Sequence, residues 1–306
     1  MITLFNTPNY KIDTKKFSNL LHDEIVEKLE QNFAKYVGAK YACTGNSASS
    51  LLFLSLLRYN RNAVVSLPSI IPPVVPNVVV NTGNKIYFYD NIEWVGSCYH
   101  LYDDIYDSAQ QVSKNQYADL NKDDSIMVFS FYPTRPVGSC DGGIVVSNNK
   151  KKIDYFKMMT MNGVEFDTDS WKRTQLTAGY KMHCNSIQAY IANENLFKLD
   201  EKNSKLDEIK SMYNDAFGYN NTSRHLYRIR VNDNNEFINK MKTKDIQCGI
   251  HYQSCHHKEF YDSFYSQPLP LSEQEEKSTV SLPFHEKLTH KQVIKVIKNV
   301  KNFQAV

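Results

Sequence analysis

Apolar side chains recur every three or four positions between residues 17 and 36, at Phe17, Leu20, Leu21, Ile25, Leu29 and Phe33. This period predicts an amphipathic helix. A short strand around Tyr41 should follow, and the almost continuously apolar residues 48–57 predict a second helix. Between this strand and helix lies the small-residue turn TGNS, residues 44–47. Backbone N–H groups at such a turn can hold an anion.

The middle of the chain continues to alternate strand and helix patterns. Strands are predicted at residues 63–67, 85–89 and 103–106, with the Pro-punctuated segment 68–81 between the first two. A two-strand hairpin over residues 129–147 then precedes a helix at 151–160. This alternation predicts an α/β domain with a mixed, mostly parallel sheet.

The composition changes near Asn193, where a long, partly exposed helix is predicted. Beyond it, the patterns predict strands at residues 225–231 and 246–252, each followed by a helix, at 236–242 and 290–303. We therefore expect a large α/β domain over residues 1–195 and a small C-terminal α+β domain over residues 196–306.

Composition and charge narrow the classes of partner. The 306 residues carry a formal net charge of only +3, and the one short basic run, residues 150–152, is typical of a solvated turn, so no nucleic-acid partner is predicted. No apolar run reaches the roughly 18 residues that span a bilayer, and the N-terminus does not read as a signal peptide, so no membrane partner is predicted either. Six dispersed cysteines favour reduced thiols and a cytoplasmic location.

Histidines cluster at His251, His256 and His257, which raises the question of a metal site. Imidazoles are common metal ligands, but no acidic or thiolate partner stands at a characteristic spacing from them. The sequence therefore predicts no metal.

The most informative stretch is FSFYPTRPVGSCDGG, residues 129–143, which predicts a buried strand, a turn containing Arg135 and a Gly-rich return. Three further elements accompany it along the chain. They are the TGNS turn, the DSAQ sequence at residues 107–110, and the segment GYKMHCNSIQAY that begins at Gly179. The closing segments HLYRIRV, IQCGIHYQSCHH and VSLPFHEKLTHKQVIKVIKNV come last.

In this order and spacing, these segments resemble the DegT/StrS-type sugar aminotransferases, over roughly residues 25 to 306. The resemblance implies the fold of the type I pyridoxal phosphate (PLP) transferases and a homodimer with a shared active site. It implies a cofactor site made of the following residues: Gly45, Asn46, Ser47 and Ser130 at the phosphate, Asp107 at the pyridine nitrogen, Gln110 near the phenolic oxygen, Ile71 against the ring, and Lys181 reaching the partner's phosphate. His251 and Tyr252 would lie near a nucleotide-sugar substrate.

The chain departs from the family's pattern at the lysine that holds PLP as a Schiff base, where it has Arg135. A guanidinium stays protonated and cannot form that bond. The resemblance therefore implies PLP that is bound non-covalently or as an external aldimine or pyridoxamine form. A second departure is the short connection between Asp90 and Asp107, in which a strand–helix unit is expected to be missing.

Three functions remain open at this stage. The first is an aminotransferase of a nucleotide-linked keto-sugar, with glutamate as amino donor, that Arg135 leaves inactive or trapped, whether the arginine is natural or engineered. The second is a PLP-dependent sugar dehydratase that works without the lysine. The third is a non-catalytic homologue that binds PLP or a sugar nucleotide.

Overall fold

The computed structural model describes residues 1–6, 9–59, 61–165, 172–261, 263–265 and 268–304. The first part of the chain alternates helices and strands, which are α1 (Glu24–Val37), β1 (Tyr41–Gly45), α2 (Ala48–Leu57), β2 (Val64–Pro68), α3 (Val74–Asn81) and β3 (Lys85–Tyr89). The central elements are β4 (Tyr99–Tyr102), β5 (Ile105–Asp107), β6 (Ile126–Ser130), β7 (Gly143–Ser147), α4 (Lys150–Thr160) and α5 (Ser186–Phe197). The last elements are α6 (Leu199–Phe217), β8 (Tyr227–Arg230), α7 (Asn234–Lys242), β9 (Ser263–Tyr265), α8 (Pro270–Ser278), β10 (Thr279–Leu282) and α9 (His290–Gln304).

Helix α1 is shorter than the apolar period predicts. The Asp23 side chain accepts a hydrogen bond from the backbone N–H of Ile25 and caps the helix. The helix therefore begins at Glu24, seven residues after Phe17. Leu20 and Leu21, which the pattern placed in the helix, lie before this cap and are about half exposed, at 48% and 60%. The helix ends at Gly38, whose φ of 77° is a left-handed conformation that suits glycine.

The large domain is built on a mixed sheet in the strand order β1-β7-β6-β5-β4. Strands β1, β5 and β6 run in one direction, while β7 and β4 run in the other. A second sheet, β2-β3-β9, is entirely parallel. The predicted fold class, with strands that are mostly parallel in direction, is therefore confirmed.

Alternate residues of the central strands face two different apolar cores. Ile126 and Val128 of β6 join one core, whereas Met127 and Phe129 join the other, against α1 and α5. A strand with both faces covered is expected to be a nearly continuous apolar run, and β6 is apolar from Ile126 to Phe129 and buried throughout. This burial holds the carboxyl ends of β5 and β6 in fixed positions.

Among the described residues, the short connection between β3 and β5 contains strand β4 and no helix. The expected loss of a strand–helix unit relative to the family stays a prediction. Only Asp103 and Asp104 separate β4 from β5, and the two strands pair antiparallel. A parallel neighbour would need a crossover of about a dozen residues. Arg58 and Lys152 bind the Asp104 carboxylate at 2.5 and 2.6 Å, which fixes the hairpin turn.

Several sequence predictions were wrong in detail. The segment 68–81 contains helix α3, and the predicted long helix is two helices that meet at Lys198. Residues 246–252 do not form the predicted strand. They make only two isolated bridges to described residues, one from Ile246 to Ile2 and one from Gly249 to Ser281. A glycine inside a strand weakens it.

The small domain has its own apolar core, formed by α6, α7, α9 and the antiparallel pair β8–β10, with Ile2 packed into it. The division at residues 195 and 196 stays a prediction. Strand β9, from the C-terminal part, pairs with β3 of the large domain, and Tyr261 and Leu269 pack into the large domain's core. Among the helices in the described residues, none is both long and apolar enough to cross a membrane.

Candidate active site

A cavity of about 620 Å³ opens where β5 and β6 end and α2 begins. Five chain segments form its wall: Ser47 with the start of α2, residues 72–75 at the start of α3, the β3–β5 connection, the Asp107–Gln110 turn and the β6–β7 hairpin. Five of the predicted site residues line it: Ser47, Asp107, Gln110, Ser130 and Arg135. The described lining contains no lysine.

Asp107 supplies a buried carboxyl group to the cavity. Its Oδ1 accepts a hydrogen bond from the backbone N–H of Ala109, and its Oδ2 accepts one from the Tyr99 hydroxyl, both at 2.9 Å. Burial raises the pKa of Asp107, while these two hydrogen bonds and the charge of Arg135 act in the opposite direction. A carboxylate held in this way favours a protonated ring nitrogen beside it.

Arg135 places a guanidinium in the same cavity. Its Nη1 donates to His225 Nε2 at 2.6 Å, and its buried Nε has no hydrogen-bond partner among the described residues. The pKa of His225 lies well below its ordinary value, mainly because the side chain is buried and secondly because Arg135 is positively charged. This imidazole is therefore neutral. From α6, Lys202 Nζ donates to the carbonyl of Pro136 at 2.9 Å and anchors the turn that carries the arginine.

The N-terminus of α2 forms the opposite, anion-binding end of the cavity. Ser47 caps the helix by accepting from the Ser50 N–H, and Ser130 lies beside it in the cavity wall. The return strand passes close by, since a Cβ on Gly143 would lie 2.6 Å from the backbone nitrogen of Ala48. Free N–H groups at a helix start, together with hydroxyls, suit a phosphate.

Gly45 and Asn46, also predicted at the phosphate, are not among the residues that line the cavity. Gly45 pairs with Gly143 in the β1–β7 ladder, and the Asn46 N–H donates to the carbonyl of Met182 at 2.7 Å. Through these backbone hydrogen bonds, the two residues fix the conformation of the turn before α2. The buried Oδ1 of Asn46 has no hydrogen-bond partner among the described residues.

Ile71, predicted to pack against the cofactor ring, is fully buried in the apolar core rather than in the cavity wall. The following residues, Pro72–Val75, line the cavity in its place. The exposed Lys181 bridges the backbone of Met161 and does not reach the cavity of its own chain. Its predicted role concerns a partner subunit and stays a prediction.

His251 and Tyr252, predicted at the sugar-nucleotide site, lie behind this cavity and are not among its lining residues. His251 Nδ1 is 2.9 Å from the Ser281 hydroxyl, and burial lowers its pKa to about 4. The Tyr252 ring stacks parallel to the Trp94 ring at 6.5 Å. Tyr252 therefore supports the wall through Trp94.

Trp94 is a site residue that the sequence reasoning missed. Its ring lines the cavity, contacts the Tyr99 ring at 4.6 Å and donates from Nε1 to the carbonyl of Ile70 at 3.0 Å. The signal was a tryptophan within the shortened connection that follows Asp90. It supplies the aromatic surface that Ile71 does not.

A larger cleft, of about 980 Å³, adjoins the cavity and shares Ser97 and Gln110 with it. Residues of both domains line it, among them three arginines and three acidic residues: Arg224, Arg228, Arg230, Asp90, Glu93 and Glu275. Arg228 pairs with the buried Glu275 at 2.5 Å, whereas the Arg230 side chain is 55% exposed. Arg224, whose side chain is 41% exposed, pairs with Asp207 at 2.7 Å, and Arg230 lies 4.0 Å from Glu275. The cleft is therefore polar, and the charges of both exposed arginines lie at its wall.

Comparisons with known proteins agree with this geometry. A sequence model of the DegT/DnrJ/EryC1/StrS aminotransferase family matches residues 105–301. The chain belongs to this family. Family members use PLP.

Among curated relatives, a UDP-4-amino-4,6-dideoxy-N-acetyl-beta-L-altrosamine transaminase of Campylobacter jejuni is 24% identical, with 95% of this chain and 94% of the relative covered. That alignment spans 355 positions, more than the 306 residues of this chain, so it includes gaps in this chain.

Solved structures share the fold. The PLP form of the putative sugar aminotransferase Spr1654 from Streptococcus pneumoniae has a TM-score of 0.82 at 16% identity, covering 98% of both chains, and a pyridoxamine phosphate (PMP) form scores 0.81. Helicobacter pylori PseC, an aminotransferase involved in pseudoaminic acid biosynthesis, scores 0.79 at 18% identity, covering 99% of this chain and 100% of its own.

The described residues of the DegT-family cavity fit most of a PLP molecule. The α2 N-terminus with Ser47 and Ser130 suits the phosphate, and the buried Asp107 suits the pyridine nitrogen. The unpartnered Nε of Arg135 offers a further donor to an anion. The described lining residues include no lysine, so the cavity wall has no side-chain amine.

The Trp94→Ala variant should bind PLP about 10-fold more weakly than the native chain, because an aromatic contact and its buried area contribute about 1–2 kcal/mol. Fluorescence titration with PLP measures this change. Trp94→Phe keeps a ring and should lose less affinity. Equal affinity in the native chain and Trp94→Ala would remove Trp94 from the cofactor site.

Proposed function

We propose that this chain is a sugar aminotransferase homologue that holds PLP, or its pyridoxamine form, without a covalent link, and that Arg135 occupies the place of the Schiff-base lysine. The observation that carries the proposal is the position of Arg135. It follows β6 in the hairpin turn, points into the cavity that Asp107 and Ser130 line, and has no lysine beside it among the described lining residues. The native chain should therefore bind the cofactor, but it should transfer amino groups very slowly or not at all.

The roles of the remaining residues follow from their chemistry. Ser47, Ser130 and the α2 N-terminus hold the phosphate, and Asp107 holds the ring nitrogen in its protonated state. PLP, when bound, supplies an electron sink. Arg135 contributes a fixed positive charge, but it cannot carry a proton to and from a substrate near neutral pH. The site thus keeps its binding functions and loses its proton carrier.

We propose a nucleotide-linked keto-sugar as the ligand, in keeping with the UDP-sugar named for the Campylobacter relative. The cleft beside the cavity has room for a nucleotide, and Ser97 and Gln110 connect the two spaces. Arg230 provides an exposed cation for a diphosphate. Glutamate as donor, and a homodimer in which Lys181 reaches the partner's site, belong to the same proposal.

A purely binding role is the second candidate, and two contacts favour it. Arg135 is well accommodated, because the neutral His225 accepts its hydrogen bond and Lys202 anchors its turn. These contacts favour arginine as the natural residue at position 135. In this case no substitution at residue 135 would restore amino transfer.

The Asp107→Asn substitution tests the cofactor site, because it should weaken PLP binding and stabilise the cofactor-free protein. PLP affinity should fall roughly 10- to 100-fold, because a hydrogen bond to a charged group contributes about 1.5–3 kcal/mol. The cofactor-free protein should become more stable at neutral pH. The pKa of Asp107 is raised in the folded state, so its ionisation costs stability as the pH rises above the ordinary value of 3.8.

Absorbance titration with PLP and thermal unfolding between pH 4 and 8 measure the two effects. The difference in Tm between Asp107→Asn and the native chain should grow as the pH rises. Asp141→Asn is a matched control, since Asp141 also lines the cavity but, within the described part of the chain, accepts a hydrogen bond only from the N–H of Gly142. Unchanged PLP affinity in Asp107→Asn would contradict the proposed site.

A further inference from the structure

A cluster of metal-ligating side chains lies outside the cofactor cavity, where the segment after residue 253 meets α8. His256, His257 and Glu273 place one potential ligand atom each within 4.8 Å of the others. The sequence reasoning found no acidic partner for these histidines. The fold supplies one from α8, which the sequence reasoning did not predict.

The spacing of the three groups suits an ion better than a direct contact. His256 Nε2 and Glu273 Oε1 are 4.0 Å apart, beyond hydrogen-bond distance, and the two imidazole rings lie with centroids 3.6 Å apart. A tetrahedral zinc ion with bonds of about 2.0–2.2 Å places its ligand atoms roughly 3.3 Å from one another. The Glu273 side chain is 43% exposed, so it can close the difference.

His256 is held in the orientation that a metal ligand needs. Its side chain is 1% exposed, and its Nδ1 lies 2.5 Å from the hydroxyl of the buried Ser69. Its Nε2 lies 4.0 Å from Glu273 Oε1. Metal-binding histidines usually have their second ring nitrogen fixed by such a hydrogen bond.

We propose that His256, His257 and Glu273 bind one divalent transition-metal ion of the zinc type, with water completing the coordination. Two nitrogens and one oxygen are a ligand set that zinc accepts.

Such an ion would tie α8 to the wall of the cofactor cavity. The Cys255 N–H donates to the carbonyl of Ser69 at 2.9 Å, and Ile70 bridges Ser254. Ser69 and Ile70 lead through Ile71 into residues 72–75, the loop and first turn of α3 that line the cavity. The ion would therefore stabilise this loop without touching the cofactor.

Isothermal titration calorimetry with Zn²⁺ on the full chain, purified with a chelator and then dialysed, tests the site. We expect one tight ion per chain and a rise in Tm on binding. Ser69→Ala should weaken binding roughly 10- to 100-fold, as outer-shell substitutions do, and His257→Ala and Glu273→Gln at least as much. His257 and Glu273 are not buried, so these two variants should fold.

His290→Ala is the matched control, because His290 is also exposed and begins α9. Its zinc affinity should equal that of the native chain. Zinc binding that survives both His257→Ala and Glu273→Gln would place the ion elsewhere and overturn the proposal. Absence of a tight site in the native chain would overturn it as well. Neither result depends on PLP or on the proposed amino transfer.

Discussion

Replacing Arg135 with lysine should give a chain that takes up PLP covalently, turns yellow and accepts an amino group from glutamate. The turn that carries residue 135 already points its side chain into the cavity with Asp107 and Ser130. A lysine there brings the amine that the lining lacks. An amine can attack the cofactor's carbonyl and later return a proton, whereas a guanidinium can do neither.

The rate of amino transfer should rise by at least about 100-fold, since general acid–base catalysis alone contributes roughly 10²- to 10⁴-fold. Stopped-flow absorbance after mixing PLP-loaded protein with glutamate measures this rate. Arg135→Met removes the guanidinium without supplying an amine, so it should form no covalent bond to PLP at residue 135 and should stay inactive. If Arg135→Lys binds PLP but transfers nothing, the purely binding role is favoured.

Acid should destabilise the cofactor-free chain well before its carboxylates titrate. His225 and His251 both have pKa values below the ordinary 6.5, chiefly because they are buried and secondly because Arg135 is near; that of His251 falls to about 4. The unfolded chain binds these protons more readily, so stability is complete above pH 6.5 and is lost as the pH falls. His251 alone accounts for about 3 kcal/mol between pH 6.5 and 4.

Urea unfolding from pH 8 to pH 4 measures this loss. The slope should approach about 1.4 kcal/mol per pH unit for each neutral histidine. Arg135→Met removes a charge that lowers both pKa values, so its unfolding free energy should depend less steeply on pH. A native chain equally stable at pH 5 and pH 7 would show that neither histidine is held neutral.

The sequence predicted the parts of the site that local signals specify. The Gly-rich return fixed the hairpin, and the small-residue turn before residues 48–57 fixed the start of α2. These features depend on neighbours along the chain, which a pattern records. The resemblance to the DegT/StrS family, rather than the local pattern, singled out Ser47, Asp107, Gln110, Ser130 and Arg135, and these five residues line the cavity.

Features that depend on distant packing were not predictable. Trp94 replaces Ile71 because the shortened β3–β5 connection brings its ring to the wall, while Ile71 turns into the core. Glu273 meets His256 only because α8 folds back against the segment before it. Strand β9 likewise joins β3 across the expected domain boundary. Periodicity carries no record of such contacts.

Intact-mass spectrometry of the native chain, saturated with PLP and treated with borohydride, tests the central claim most directly. Borohydride fixes any Schiff-base link between PLP and a lysine. We expect the mass of the chain to stay unchanged, while denaturation releases about one PLP per chain. A chain whose mass increases by one reduced PLP on a lysine, or one that retains no PLP, would contradict the account.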